Sequence, residues 1–389
     1  MSVRLMIGAD LVPTQSNYHL FEKGDAGALL GDRLRELLAG ADFTAFNLEI
    51  PLTDRRTPIE KHGPALMAPA GTINGLRAVN PHFFTLANNH ILDQGRQGLF
   101  STIELLDRVG IAHAGAGSDL SEAQKPFIKE VGGLRLGFYC CAEHEFSIAA
   151  EDAAGANPFD PLESLDHVIE LKKQCDYAVV LYHGGKEHYR YPSPGLQRIC
   201  RKLVEKGADL VVCQHSHCVG AEERWKNGTI VYGQGNFLFD DSESEYWRTG
   251  LLIEVGLERK EGGIAAALRY HPLRKEGERV RLAQPEEGEQ ILAAFRERSA
   301  AVRDPAVLKA RYQAFADTML NGYLSALSGA GSRSFLYRAV NRLSGYRFSA
   351  WRMSRKYKKR ERIAIRNYIE CEAHRELLLC GVKNIKNGK

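Results

Sequence analysis

Apolar runs recur from Val3 to Leu257, and most of them stop abruptly at polar residues. Val3 to Leu11 is strand-like and gives way at Gly8, Ala9 and Asp10, with Pro13 preventing a regular continuation. Phe43 to Glu49, His82 to Leu86, Ile111 to Gly117, Phe127 to Val131, Leu134 to Cys141, Tyr177 to Tyr182, Asp209 to Cys213, Thr229 to Gly233 and Gly250 to Leu257 read the same way. Gly132 and Gly133 make a hairpin turn. Helical spacing of apolar positions covers Ala26 to Leu38, Thr72 to Val79, Arg96 to Val109, Leu162 to Gln174 and Leu196 to Lys206. The alternation of strand and helix predicts an α/β domain. Between Glu258 and Glu287 charge and Gly mix with short β-like pieces such as Ala265 to Tyr270, which finish the sheet. From Gly288 to Lys389 the pattern is helical, so the expected division is a domain over 1–287 and a helical extension over 288–389.

Composition changes this picture little, and charge changes it more. With 389 residues, 44% hydrophobic and 26% charged, the chain has room for a large core. No apolar run approaches the roughly 18 residues of a membrane span, and Met1 to Leu11 lacks a signal-peptide pattern, so a cytoplasmic protein is expected. The eight cysteines contain no CxxC pair and read as reduced, buried thiols, while Cys213 and Cys218 flank two histidines and leave a metal contact open. The charge is uneven. Residues 332–389 hold 16 Lys or Arg against 4 Asp or Glu, or +12, so the remainder carries −8 of the +4 total. Trp351, Tyr357 and Tyr368 interleave with this basic run, so it is either a solvated helical face or a surface for anionic lipid or a membrane-bound partner. No nucleic-acid motif accompanies it.

The polar strand ends carry the candidate chemistry. Asp10, Glu49, Asn89, His183, His215 and His217 all fall at the carboxyl ends of expected strands, the edge where α/β folds gather ligands. Oxygen donors with imidazole suit a divalent metal, one or two ions of Mn, Fe or Zn, and a shared carboxylate can bridge a pair. His215 and His217, two apart on an extended segment, would point the same way and serve one metal or two neighbours. His90 is cast as a general acid, with Asp93 either orienting its ring or capping the following helix. The long loop Thr53 to Pro69, with Lys61 and His62, suits a substrate cover. AGAGS at Gly115 lacks the Lys and Ser or Thr of a phosphate loop and reads as a turn.

The motifs GAD (Gly8 to Asp10), NLEIPL (Asn47 to Leu52), LANNHILDQG (Leu86 to Gly95), GAG (Gly115 to Gly117), HGGKEHY (His183 to Tyr189), QHSH (Gln214 to His217) and YGQGNFLFD (Tyr232 to Asp240) follow in order over Val3 to Leu257. Together they resemble the poly-gamma-glutamate capsule synthesis protein CapA family, related to the calcineurin-like metallophosphoesterases. The resemblance implies a four-layer α/β/β/α sandwich and a role in making capsule or a related surface polymer. It also implies metal ligation by Asp10, Glu49, Asn89, His183, His215 and His217, with His90 as the acid. Three positions depart from the pattern: Val12 stands where the related phosphoesterases have a ligand His, Glu49 where they have Asp, and Gly184 where the family commonly has Trp. Two readings follow: a metal-dependent hydrolase or transferase acting on a phosphorylated or polyanionic intermediate of capsule synthesis, or a non-hydrolytic subunit that binds an anionic polymer. On either, the chain is cytoplasmic, or peripheral at the inner face of the membrane through its basic region.

Overall fold

The computed structural model describes residues 2–239, 244–329 and 335–383. Asp240, the last residue of the YGQGNFLFD motif, and the end of the helical extension beyond Lys383 lie outside the described residues. Two compact units are present, Met1–Lys309 and Ala310–Lys389.

Two sheets form the centre of the first unit. One has eight strands, ordered Arg279–Leu282, Gly263–Glu276, Thr249–Lys260, Ser2–Leu11, Phe43–Leu48, Phe83–Thr85 and Ala112–Ala114, with Asn236–Leu238 pairing alongside the end of Ser2–Leu11. The other has six, ordered Glu222–Trp225, Gly228–Tyr232, Leu210–Gln214, Tyr177–His183, Leu134–Ala142 and Phe127–Val131. The strands that lead to the polar ends are parallel within each sheet, which brings their carboxyl ends to one edge.

Alternating side chains build three packed layers from these strands. Val3, Leu5, Ile7, Phe43 and Phe83 of the first sheet meet Leu136, Phe138, Val179 and Val212 of the second. The opposite face of the first sheet, with Met6, Phe46 and Phe84, is covered by Phe21, Leu34, Leu76, Leu99 and Leu106 from helices. The outer face of the second, with Tyr139, Val180 and Val211, is covered by Val168, Leu171, Leu196 and Leu203 from the helices Ser164–Gln174 and Pro194–Glu205. This is the helix, sheet, sheet, helix order that the resemblance implied.

Several expected elements are broken for local reasons. The helix expected over Ala26 to Leu38 splits into Ala26–Leu29 and Asp32–Ala39, because Leu30 turns extended and Gly31 N–H bonds the Val280 carbonyl. The strand expected over Ile111 to Gly117 splits at Gly115, whose φ is +88° and where a Cβ would lie 2.7 Å from that of Cys140. Gly250 to Leu257, expected as a closing strand, belongs to Thr249–Lys260, an inner strand antiparallel to Ser2–Leu11, because Gly263–Glu276 pairs along its far side.

The second unit is helical where it is described, with Phe335–Leu343, Arg347–Lys356, Lys359–Glu370 and Glu372–Lys383. It exposes Trp351, Ile363, Tyr368 and Leu377 among its basic residues. No helix among the described residues is long and apolar enough to cross a membrane.

Candidate metal centre

The register of the first strand slips between Ile7 and Asp10, setting Ile7 opposite Ala45 and Asp10 opposite Asn47. Such a bulge re-aims the residues that follow it. Gly8 permits the close approach this needs, since a Cβ there would sit 2.2 Å from the Phe46 ring. Asp10 is fully buried; Asn47 Nδ2 donates to its Oδ1 at 2.8 Å and the His215 N–H to its Oδ2 at 3.2 Å. Burial works to raise the Asp10 pKa, but the histidines His217 and His183 hold it below the usual carboxylate range.

Glu49 follows the second strand and is also fully buried, yet neither of its oxygens has a hydrogen-bond partner. Burial and the neighbouring Asp10 charge push its pKa up to about 8. A buried carboxylate without donors is costly unless a cation or a proton satisfies it.

The imidazoles arrive from the second sheet. His183 ends its strand, with Nδ1 3.2 Å from Asn47 Nδ2 and Nε2 3.0 Å from Asn89 Oδ1, 3.1 Å from His215 Nδ1 and 3.3 Å from Glu49 Oε1. Four atoms able to offer lone pairs thus meet around one point. Burial lowers the His183 pKa to about 4 and that of His215 well below its ordinary value, so both rings are neutral, the form in which imidazole ligates a metal. Burial also opposes charge on His217, but Asp10, 3.5 Å away, and Glu49 raise its pKa to about 9. His217 Nδ1 lies 2.9 Å from Asn236 Oδ1, and the ring stacks on Trp247 with centroids 4.5 Å apart.

The expected extended segment under His215 and His217 is not found. The strand ends at Gln214, and both histidines adopt left-handed backbone, with φ of 86° and 51°. The twist sends the two rings to different places, in two donor groups: Glu49 with His183 and His215, and Asp10 with Glu49 and His217. Within each, the possible ligand atoms lie within 4.8 Å of one another, and Glu49 is common to both. No cysteine belongs to either group; Cys213 and Cys218 are buried, and Cys213 faces Cys200 with sulfurs 3.6 Å apart. The orphaned Glu49 carboxylate, the neutral imidazoles and the hard oxygen donors fit one or two divalent cations.

Asn89 adds its Oδ1 beside His183, with Nδ2 tied to Glu145 Oε2 at 3.0 Å. His90, next in sequence, turns Nδ1 to Asp93 Oδ2 at 2.5 Å, which leaves Nε2 as its other proton position. Asp93 does not cap the following helix: Gly95–Arg108 begins after Gln94, and Asp93 is occupied by His90, the Leu66 N–H at 2.6 Å and Lys61 Nζ at 2.6 Å. The loop expected as a cover therefore sends Lys61 inward, with its side chain 3% exposed.

Asn47, Lys61, Glu143 and Glu145 escaped the sequence reading as site residues. Asn47 links Asp10, His183 and Asn88, whose Nδ2 donates to Asn47 Oδ1 at 3.0 Å. Glu143 and Glu145 follow the end of Leu134–Ala142, a polar strand end of the kind that marked the candidate ligands. Glu143 also accounts for Gly184, where any Cβ would sit 2.5 Å from its Cγ. Val12 is buried in the outer apolar cluster of the first sheet and offers no ligand.

Residues 5–241 match the family model described as bacterial capsule synthesis protein PGA_cap. The chain is 28% identical over 235 residues to the PGA biosynthesis protein CapA of Bacillus subtilis, covering 58% of this chain and 60% of that one. It is 29% identical over 213 residues to the capsule biosynthesis protein CapA of Bacillus anthracis, covering 52% of each. A probable polyglutamine synthesis accessory protein of Mycobacterium tuberculosis is 28% identical over 268 residues, covering 64% of this chain and 70% of that one. The chain thus spans little more than half the length of the two Bacillus relatives. Among solved structures, a phosphatase of Mycoplasma pneumoniae superposes with a TM-score of 0.42 at 12% identity, over 70% of this chain and 94% of that one. A 5'-nucleotidase precursor of Thermus thermophilus gives 0.41 at 14% identity, over 76% and 59%.

Proposed function

The chain belongs to the bacterial capsule synthesis protein PGA_cap family, and from that premise we propose that it is a divalent-metal-dependent phosphoesterase-like enzyme taking part in the synthesis of capsule, poly-gamma-glutamate or a related surface polymer. One observation carries the reading: Glu49, fully buried with neither oxygen hydrogen-bonded, is shared by both donor groups. Asp10, Glu49, Asn89, His183, His215 and His217 would hold one or two ions of Mn, Fe or Zn. Bound there, such ions supply Lewis acidity toward a phosphoryl oxygen and make water more acidic.

The chain's own residues handle the proton and the geometry. With Nδ1 bonded to Asp93, His90 is left with Nε2 as the position that, when the ring is protonated, would deliver a proton to a leaving-group oxygen. Lys61 and the Leu66 N–H hold Asp93, and Asp93 holds the ring. The substrate class is a phosphorylated or polyanionic intermediate. The basic C-terminal helices, with Trp351 and Tyr368 exposed, are the surface offered to the inner face of the membrane or to the capsule machinery.

Turnover of a phosphomonoester and a phosphodiester by the full chain with Mn²⁺ tests this. His90→Ala is expected to lower kcat by about 10²- to 10⁴-fold with bound metal unchanged; equal rates would remove His90 from the mechanism. Val12 favours a second reading, a polymer-binding or assembly subunit, since it leaves the first motif one ligand short. Metal-loaded protein that binds glutamate polymer and turns over neither ester would support that reading instead.

A further inference from the structure

A cavity of about 510 Å³ lies beside the candidate metal centre and is lined by none of its ligands. Its wall includes Arg190, Arg274 and Arg298 together with Glu245 and Glu287. Arg190 Nη2 donates to Glu245 Oε1 at 2.7 Å, on the helix Glu245–Arg248 whose Trp247 stacks on His217. Arg274 Nε lies 3.9 Å from Glu287, but Glu287 is more closely engaged by Arg281 at 2.9 Å.

Arg298 is different. It is 8% exposed, spends Nε on the Gly220 carbonyl at 2.7 Å, and among the described residues has no carboxylate within ion-pair distance. Holding one carbonyl needs one N–H, whereas a guanidinium presents five in a fork suited to a carboxylate or phosphate. Burial, and after it the charge of Arg190, lowers the Arg298 pKa, the direction expected for a buried cation that lacks a counter-ion.

We propose that this cavity is an oxyanion-binding site, in which Arg298, supported by Arg274, takes a carboxylate or phosphate group of a ligand chain. The site stands apart from the metal ligands in the residues that form it, and its occupation does not depend on whether the metal centre turns anything over.

Calorimetric titration of the full chain with inorganic phosphate, and separately with a short glutamate oligomer, tests the proposal on wild type, Glu49→Gln and Arg298→Gln. Saturable binding that Glu49→Gln keeps within about twofold, and that Arg298→Gln weakens by about tenfold or more, is expected for loss of a charged hydrogen bond. Binding of phosphate alone identifies a phosphoryl ligand, binding of the oligomer alone a carboxylate chain, and binding of both a shared oxyanion site. Saturable binding of neither probe, an unchanged affinity in Arg298→Gln, or loss in Glu49→Gln with retention in Arg298→Gln would overturn it. Circular dichroism checks the fold. If Arg298→Gln is unfolded, Arg274→Gln decides, and wild-type affinity in that variant overturns the proposal.

Discussion

The eight-stranded sheet brings oxygen to the candidate centre, through Asp10, Glu49 and Asn89, whereas the six-stranded sheet brings nitrogen, through His183, His215 and His217. The two halves are also prepared differently. The imidazoles contact one another or a carboxylate, and His183 and His215 are neutral because they are buried. On the oxygen side Asp10 has two donors, while Glu49 has none. A centre assembled across two sheets depends on the core between them, because that packing sets the separation of its halves. Glu49 is the residue at which the two donor groups meet, and among the described candidate ligands it is the carboxylate whose oxygens have no hydrogen-bond donor.

Loosening the seam should separate the halves most. Phe138 of the second sheet stacks on Phe43 at 5.6 Å and Phe83 at 5.1 Å of the first. Phe138→Ala is expected to lower stability by about 3–5 kcal/mol in urea unfolding and to weaken metal binding without touching a ligand. Unchanged metal affinity in the folded variant would mean that the halves are positioned independently of the seam.

Lys61→Met acts on the oxygen side without removing a candidate ligand. It takes one donor from the buried Asp93, at an expected cost of about 1–3 kcal/mol, and leaves metal content at the wild-type value while turnover falls. If turnover and its pH profile are those of wild type, Lys61 has no part in positioning His90.

The smallest effect is a slope with pH. Glu49 is raised to about 8, and His217 to about 9, above their ordinary values of 4.5 and 6.5. Both bind a proton more tightly in the folded chain, so the stability they confer is complete below those ordinary values and is lost as pH rises through the folded ones. The melting temperature of chelator-treated protein should therefore fall between pH 6.5 and 9. Mn²⁺ replaces those protons and should flatten or reverse the trend. Parallel slopes with and without Mn²⁺ would separate these protons from the metal.

Much of this arrangement was legible because a parallel strand buried on both faces reads as an apolar run, and the polar residue that ends it stands out. Asp10, Glu49, Asn89, His183 and His215 could each be placed at a strand end in this way. The left-handed backbone at His215 and His217 could not, since neither residue type announces a positive φ, and an extended reading put their rings on one side. Lys61 was visible only as part of a long loop, because its burial depends on Asp93, 32 positions away. Asn47 looked like a strand residue, and its links to Asp10, His183 and Asn88 exist only once both sheets are packed.

Metal content reports whether Glu49 joins two cation-binding groups. The 389-residue chain reconstituted with Mn²⁺, freed of excess ion and analysed by mass spectrometry of the metal should carry one or two ions per chain. Glu49→Gln should carry less than about a tenth of that, since metal-ligand loss removes the binding free energy at both positions, while His215→Ala should keep the ion of the Asp10, Glu49 and His217 group. A wild-type chain with no ion above background, or a Glu49→Gln chain with the full complement, would contradict the account.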